Sequence, residues 1–410
     1  MNRFGEMLRA VVLAGLAFAG TASADVVTDW NAIIMASTGP GRPGPTAFHD
    51  VAVAHLAMHD AIQSYERRFE PYYVRVKAPA GSKKAAAATA AYRLLVTFYP
   101  SQAATLDATY GTWLANNGLT GNAGIEVGEA VAARYAGIRR ADPNPPLAPF
   151  LGGTNPGEWR PTAPAFAPMA FEQQAYFIPL ALTGPARYRA PPPPALTSDK
   201  YTEDYNEVKA KGALTGSTRS AGETEIANFW LDNPGNVWFG GLRAIAEERV
   251  PNTGNRARLF ALASVSVSSA IISAWDSKVY YNLWRPVTAI QEGDNDTNDA
   301  TEGDPDWQPF LTTPPYPDYT SGANSVSGAV TKSLELFFGQ DDIPLTLTST
   351  APTAIKKVRT YPSFSAASQE VVNVRVLQGI HFRFADVEAR KVARAAAEYA
   401  HDNYLRPVSN

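Results

Sequence analysis

Cysteine is absent from all 410 residues, which excludes disulfides, thiol catalysis and thiolate metal sites. An exported protein that carries no stray thiols fits that absence. Histidine is scarce, with five in the chain and none between His59 and His381. Nor is there a basic excess: 36 Lys and Arg stand against 39 Asp and Glu, a formal charge of -3. Nucleic-acid binders carry a basic footprint, so no nucleic-acid partner is expected. Beyond residue 24 no run reads as long and apolar enough to span a bilayer, so stable membrane insertion is not expected either.

What is present begins with an address. Arg3 and Arg9 make the start positive, Ala10–Ala19 is apolar but about half a bilayer span, and Ala22-Ser23-Ala24 is an A-x-A cleavage site. Residues 1–24 therefore read as a signal peptide, with a mature protein that starts at Asp25 and is periplasmic or secreted. Cleavage removes Arg3, Arg9 and Glu6, so the charge becomes -3 - 1 = -4. Residues 25–410 are expected to form a single domain.

Helical periodicity dominates the rest, and the alanine-rich stretches between Ala85 and Ile138 show no alternation of the β type. A helix is predicted over Ala47–Ser64, with His49, His55 and His59 on it and Asp60 beside them. His55 and His59 share a face, the spacing of a metal pair, but no third ligand stands at helical spacing, so packed or surface histidines are the favoured reading. Further helices are expected over Ala85–Thr97, Gln102–Asn116 and Ala123–Ile138. Between Asp142 and Thr197 prolines and glycines interrupt the pattern. That stretch is a linker or a loop layer; its Trp159, Phe166, Phe171, Tyr176 and Phe177 argue for a packed layer. Ser198 caps a helix to about Lys211, and Glu223 stands at capping-box distance from Ser220 in the next.

Four C-terminal stretches carry chemistry. A helix rich in Ala and Ser over Asn255–Trp284 bears Lys278, with Arg285 seven residues on and Pro286 ending the helix there. Two cations near one face of so uncharged a helix call for an anion. The acidic loop Gly293–Asp306 opens like a calcium loop, but Asp299 and Pro305 stand where glycine and glutamate are needed, so a solvated loop is expected. The proline-rich Thr313–Gly322 leads into a helix over Ala323–Phe338 with a Val326, Val330, Leu334, Phe337 stripe. Thr320 or Ser321 would cap it, aiming N–H groups around Gly322 at an anion. Finally, Val374–Phe384 holds Arg375 and His381, about 120° apart on a continuous helix. They can face one point only if the helix breaks between them, and Gly379 is the place for that break. A last amphipathic helix is expected over Asp386–Tyr404.

Lys278-x6-Arg285-Pro286, Ser321-Gly322 and Arg375-x5-His381, in that order, resemble the three-part signature of vanadium-dependent haloperoxidases and type 2 phosphatidic acid phosphatases. The bacterial haloperoxidase-like branch is the nearer in PPYPDYTSGANSVSGA and GIHFRFADVEA. The resemblance implies an all-α fold, a helical-bundle core with Pro/Gly-rich loop layers. It implies that Lys278, Arg285, Ser321, the Gly322 amide and Arg375 hold the oxygens of vanadate, or of phosphate in the same pocket. His381 would be the vanadium ligand, or the nucleophile of a phosphatase. The partners would be hydrogen peroxide and halide, or a phosphate ester. One departure bears on catalysis: the acid–base histidine that follows Ser-Gly in the signature is Ala323 here. Oxyanion binding without turnover is therefore a third expectation.

Overall fold

The computed structural model describes residues 25–42, 44–78, 80–138 and 148–408. The expected signal peptide, residues 1–24, lies outside the described residues. The chain is built of helices, with one short hairpin. Its N-terminal half supplies α1 (Val26–Gly41), α2 (Ala47–Glu66), α3 (Lys83–Phe98), α4 (Ala103–Asn116) and α5 (Gly124–Tyr135). After a loop layer come α6 (Asp199–Gly212), α7 (Ala221–Phe229), α8 (Pro234–Arg249), α9 (Thr253–Tyr281) and the short α10 (Pro286–Gln291). The C-terminal part has α11 (Gly322–Phe338), strands β1 (Leu345–Thr348) and β2 (Val358–Tyr361), α12 (Phe364–Leu377) and α13 (Arg383–Asn403).

Helix α9 is the axis of the molecule. From the N-terminal half α1 and α2 pack on it, and from the C-terminal part α11 and α13. It is long and apolar enough to cross a membrane, which corrects the expectation drawn from the sequence, but its most apolar stretch is wholly buried inside the fold. Small residues let neighbours approach, and two of its serines hide their hydroxyls by bonding back along the helix: Ser266 Oγ to Leu262 O at 2.7 Å, Ser277 Oγ to Ser273 O at 2.9 Å. The helix ends at Asn282, which adopts the left-handed conformation, three residues before the proline-imposed stop. Arg285 is then extended, as a residue before proline must be, and Pro286 opens α10.

Helix α11 buries Val326, Val330 and Leu334 and stops at Gly339, as its stripe predicts. Gly328 lets it cross α13 closely, since a Cβ there would stand 2.9 Å from Arg390 O. The α6 and α7 caps are those expected, including the full capping box of Ser220 and Glu223.

Residues 142–147 of the proline-rich stretch lie outside the described residues; the rest is a packed layer, although Phe166 and Tyr176 are exposed. Trp159 is fully buried, its N–H bonds Asn282 O at 2.7 Å, and Trp284 N–H bonds Gly157 O at 2.9 Å. Ala170 N–H bonds Pro315 O at 2.8 Å. The layer thus clamps the two connections that carry Arg285 and the Pro314–Ser321 segment. From the other side α6 fixes the start of α13: Asp204 Oδ2 accepts from Phe384 N–H at 2.7 Å, and Glu207 pairs with Arg383 at 2.6 Å.

The acidic loop is less solvated than expected. Asp296 is buried and accepts from Asn298 N–H and Thr301 Oγ1–H, while Asp294 accepts from Gly303 N–H. Its carboxylates tie the loop to itself.

Candidate active site

Four segments meet at one buried point: the end of α9, the residue before α10, the lead into α11, and the α12–α13 turn. That turn is the break expected at Gly379. Helix α12 ends at Leu377, Gly379 takes φ 76°, and a Cβ there would collide with Gly212 O. Arg375 and His381 are thereby swung to the same side.

Lys278 and Arg285 are both fully buried. Lys278 Nζ donates to Pro317 O at 2.6 Å and Asp318 O at 2.9 Å, which leaves one of its three protons uncommitted. Arg285 Nε donates to Tyr316 O at 2.7 Å and Nη1 to Ile380 O at 2.6 Å. The Tyr316 ring lies 5.0 Å from Lys278 Nζ and 4.8 Å from Arg285 Cζ, a π-face that eases the burial of two cations.

His381 is held by Asp318, whose Oδ1 lies 2.7 Å from Nδ1. Arg285 Nη1 lies 3.3 Å from Nε2 and 3.4 Å from Nδ1. A donor nearly equidistant from both ring nitrogens sits over the ring face, not in line with a lone pair. Nδ1–H therefore donates to Asp318, and Nε2 keeps its in-plane lone pair for a ligand or an electrophile. Burial, then Arg285, Lys278 and Arg375, push the imidazole well below its usual range, so it is neutral.

The charges do not close without an anion. Lys278, Arg285 and Arg375 bring three positive charges; Asp318 and Asp386 are the carboxyls set against them. Burial raises Asp318 to about 7 against the pull of Arg285 and Lys278, and raises Asp386 well above its usual value. Burial also pushes Lys278 well below its ordinary value, with Arg285 adding to it. Donors are left over as well. Arg285 Nη2 and Arg375 Nε are buried without an acceptor, although Arg375 Nη1 finds Gln378 Oε1 at 2.6 Å. The first turn of α11 has Ser321 at its cap position and no side-chain cap, so its N–H groups remain available. Neutral nitrogen, unspent cationic donors and an open helix end fit a tetrahedral metal oxyanion.

Of the six residues singled out from the sequence, Lys278, Arg285 and His381 meet around Asp318, Arg375 adds its charge to the same group, and Ser321 and Gly322 open α11. Sequence reasoning missed Asp318, Asn324 and the role of Asp386, whose Oδ1 accepts from Asn324 Nδ2 at 2.8 Å. A carboxylate three residues before Ser321, inside an apolar and proline-rich stretch, was the signal for Asp318. The N-terminal histidines lie elsewhere, in the core. Nδ1 of His49 lies 3.3 Å from Ser268 Oγ, His55 Nε2 accepts from Asn31 at 2.8 Å, and His59 Nε2 meets Glu70 O at 3.1 Å. Burial lowers His55 to about 3 and His59 to about 4. Among the described residues no three His, Cys, Asp or Glu side chains group as metal ligands.

Comparison with known proteins agrees with this geometry. Residues 258–410 match the family described as the VCPO second helical-bundle domain, and they contain the whole constellation. By this match residues 258–410 belong to the vanadium haloperoxidase superfamily. Within it, a vanadium chloroperoxidase of Curvularia inaequalis is 27% identical over 184 residues, 37% of this chain and 30% of that protein. A likeness in fold extends over nearly the full length. A bacterial vanadium-dependent iodoperoxidase superposes with a TM-score of 0.76 at 24% identity, covering 95% of this chain and 99% of the other. A bacterial vanadium-dependent chloroperoxidase gives 0.70 at 15% identity, covering 87% and 91%.

Proposed function

We propose that this chain is a vanadate-binding haloperoxidase that oxidises halide with hydrogen peroxide. Two electrons leave the halide, the peroxide O–O bond breaks, and X⁻, H₂O₂ and H⁺ give HOX and H₂O. What supports this above all is the pair of buried donors without acceptors, Arg285 Nη2 and Arg375 Nε, beside the free Nε2 of His381. Bound vanadate would supply the Lewis-acidic centre that activates peroxide.

The chain's own residues would do the rest. Lys278 with its third proton, Arg285, Arg375, Ser321 and the Gly322 N–H would donate to the vanadate oxygens, and His381 would offer Nε2 to the metal. Asp318 fixes the imidazole by accepting Nδ1–H. Burial of the pocket keeps water from competing for these donors. Proton transfer is the weak link. Ala323 offers only a methyl group where the superfamily signature has an imidazole, and acid–base help is typically worth about 10²–10⁴-fold. Slow turnover with firm anion binding is the expected behaviour.

A carboxylate on Nδ1 also suits an imidazole that accepts a phosphoryl group, which makes phosphomonoester hydrolysis through His381 the second reading. Ala323 favours the third, an oxyanion-binding protein without turnover. The experiment uses mature protein recovered from the periplasm or medium, whose N terminus should be Asp25; an intact Met1 would contradict export. Vanadate-loaded protein should oxidise bromide or iodide with peroxide and lose that activity on chelation of vanadate. Hydrolysis of an aryl phosphate blocked by vanadate, with no halide oxidation, would replace this reading by the second.

A further inference from the structure

Tyr316 brings to the anion site a phenol that the proposed chemistry does not use. Its backbone carbonyl accepts from Arg285 Nε at 2.7 Å, and its ring packs on Trp275 with centroids 5.1 Å apart. The ring is thereby fixed, 5.0 Å from Lys278 Nζ and 4.8 Å from Arg285 Cζ. Burial pushes Arg285 and Arg375 down, and Tyr316 is among the groups that pull each back up. Its hydroxyl end therefore lies on the side of the two guanidinium groups.

The way out of the site passes this ring. Lys278, Arg285, Asp318, Ser321 and His381 are buried, whereas Tyr316, Arg375, Gly322 and Ala323 are partly exposed. An oxidant made at the site meets Tyr316 before it meets solvent. Competing sinks are closed. The chain has no cysteine, and Trp275, Trp230 and Trp238 are buried. A phenol reacts readily with hypohalous acid at the ring carbons beside its hydroxyl.

We infer that Tyr316 is a self-halogenation site, the first residue of this chain to take up iodine or bromine during turnover. The inference rests on the haloperoxidase reading, which supplies the hypohalous acid HOX. In the step, ring π electrons form a C–X bond at Cε1 or Cε2 as the O–X bond breaks. Hydroxide leaves and takes the displaced ring proton as water, so C–H and HOX give C–X and H₂O. Proximity decides the position. An oxidant set free beside a fixed ring acts at a local concentration that the bulk solvent never reaches. Exposure alone points elsewhere, to Tyr280 at 62% and Tyr73 at 58%.

The test reads mass, not rate. Vanadate-loaded wild-type protein receives iodide and equimolar peroxide, and is then digested for peptide mass spectrometry. Iodine should sit on Tyr316 at least about tenfold more often than on Tyr280 or Tyr73. Preformed hypoiodite added to the same protein should reverse that order, because it arrives from solvent. Peroxide and iodide without vanadate should leave Tyr316 unmodified. Iodine on Tyr280 and Tyr73 ahead of Tyr316 during turnover, or the same order from both sources of oxidant, would overturn the site. Iodide oxidised in solution, read as triiodide, keeps the proposed function in either case. If no iodide is oxidised, the function and this inference fall together.

Discussion

His381→Ala should lower vanadate-dependent halide oxidation by at least about 10²–10³-fold, the loss typical when one preorganised partner of the reacting centre is removed. No other neutral nitrogen reaches this point: Lys278, Arg285 and Arg375 are cations, and the remaining histidines lie in the other half of the fold or on the surface. The variant should still fold. With the ring gone, Asp318 keeps Arg285 Nη1 at 3.5 Å, so its buried carboxylate is not stranded. Circular dichroism should match the wild type. Free imidazole, diffusing into the space left by the ring, should restore part of the activity. Unchanged turnover in His381→Ala would remove His381 from the mechanism.

Ala323→His should raise turnover, by up to about 10²–10⁴-fold and less where the imidazole is imperfectly placed. Position 323 is the second residue of α11, half-buried, beside Arg375 and the uncapped helix end. Steady-state bromide and iodide oxidation in the two proteins measures the gain. No gain, with vanadate still bound, would mean that the pocket has diverged beyond this residue, and the binding-protein reading would then lead.

The cationic half of the site was legible in the sequence, the anionic half was not. Lys278, Arg285, Arg375 and His381 stand out because charge is rare in apolar helices and because Pro286 and Gly379 constrain the backbone locally. Asp318 and Asp386 act through partners 33 to 63 residues away or more, and no local pattern reports such contacts. The same distinction runs through the fold. The α6 cap, the α7 capping box, the α11 stripe and the packed aromatic layer were expected, since each is a local preference or a composition. Helix α8 was not anticipated, although Asn233 caps it and Pro234 takes its first position. The hairpin of β1 and β2 was missed because four residues are too short a run to stand out, although Leu345 and Leu347 alternate with threonines; they pair with Tyr361 and Arg359 and take their place by packing on α8. Helix α9 stops at Asn282, not at Pro286, because a left-handed residue there is held by the loop layer through Trp159.

The claim on which everything else depends is that the buried Lys278 and Arg285, the half-buried Arg375 and His381 form a site for a tetrahedral oxyanion. Orthovanadate titration of the mature wild-type protein, followed by its melting temperature, tests it most directly. At about 100-fold excess over the dissociation constant, binding contributes about 2.7 kcal/mol, or a rise of roughly 3 °C for a chain of this size. Arg375→Ala, which removes one of the unspent donors, should lose most of that rise. If the wild-type protein melts at the same temperature with and without millimolar vanadate, the site does not bind the anion and the account fails.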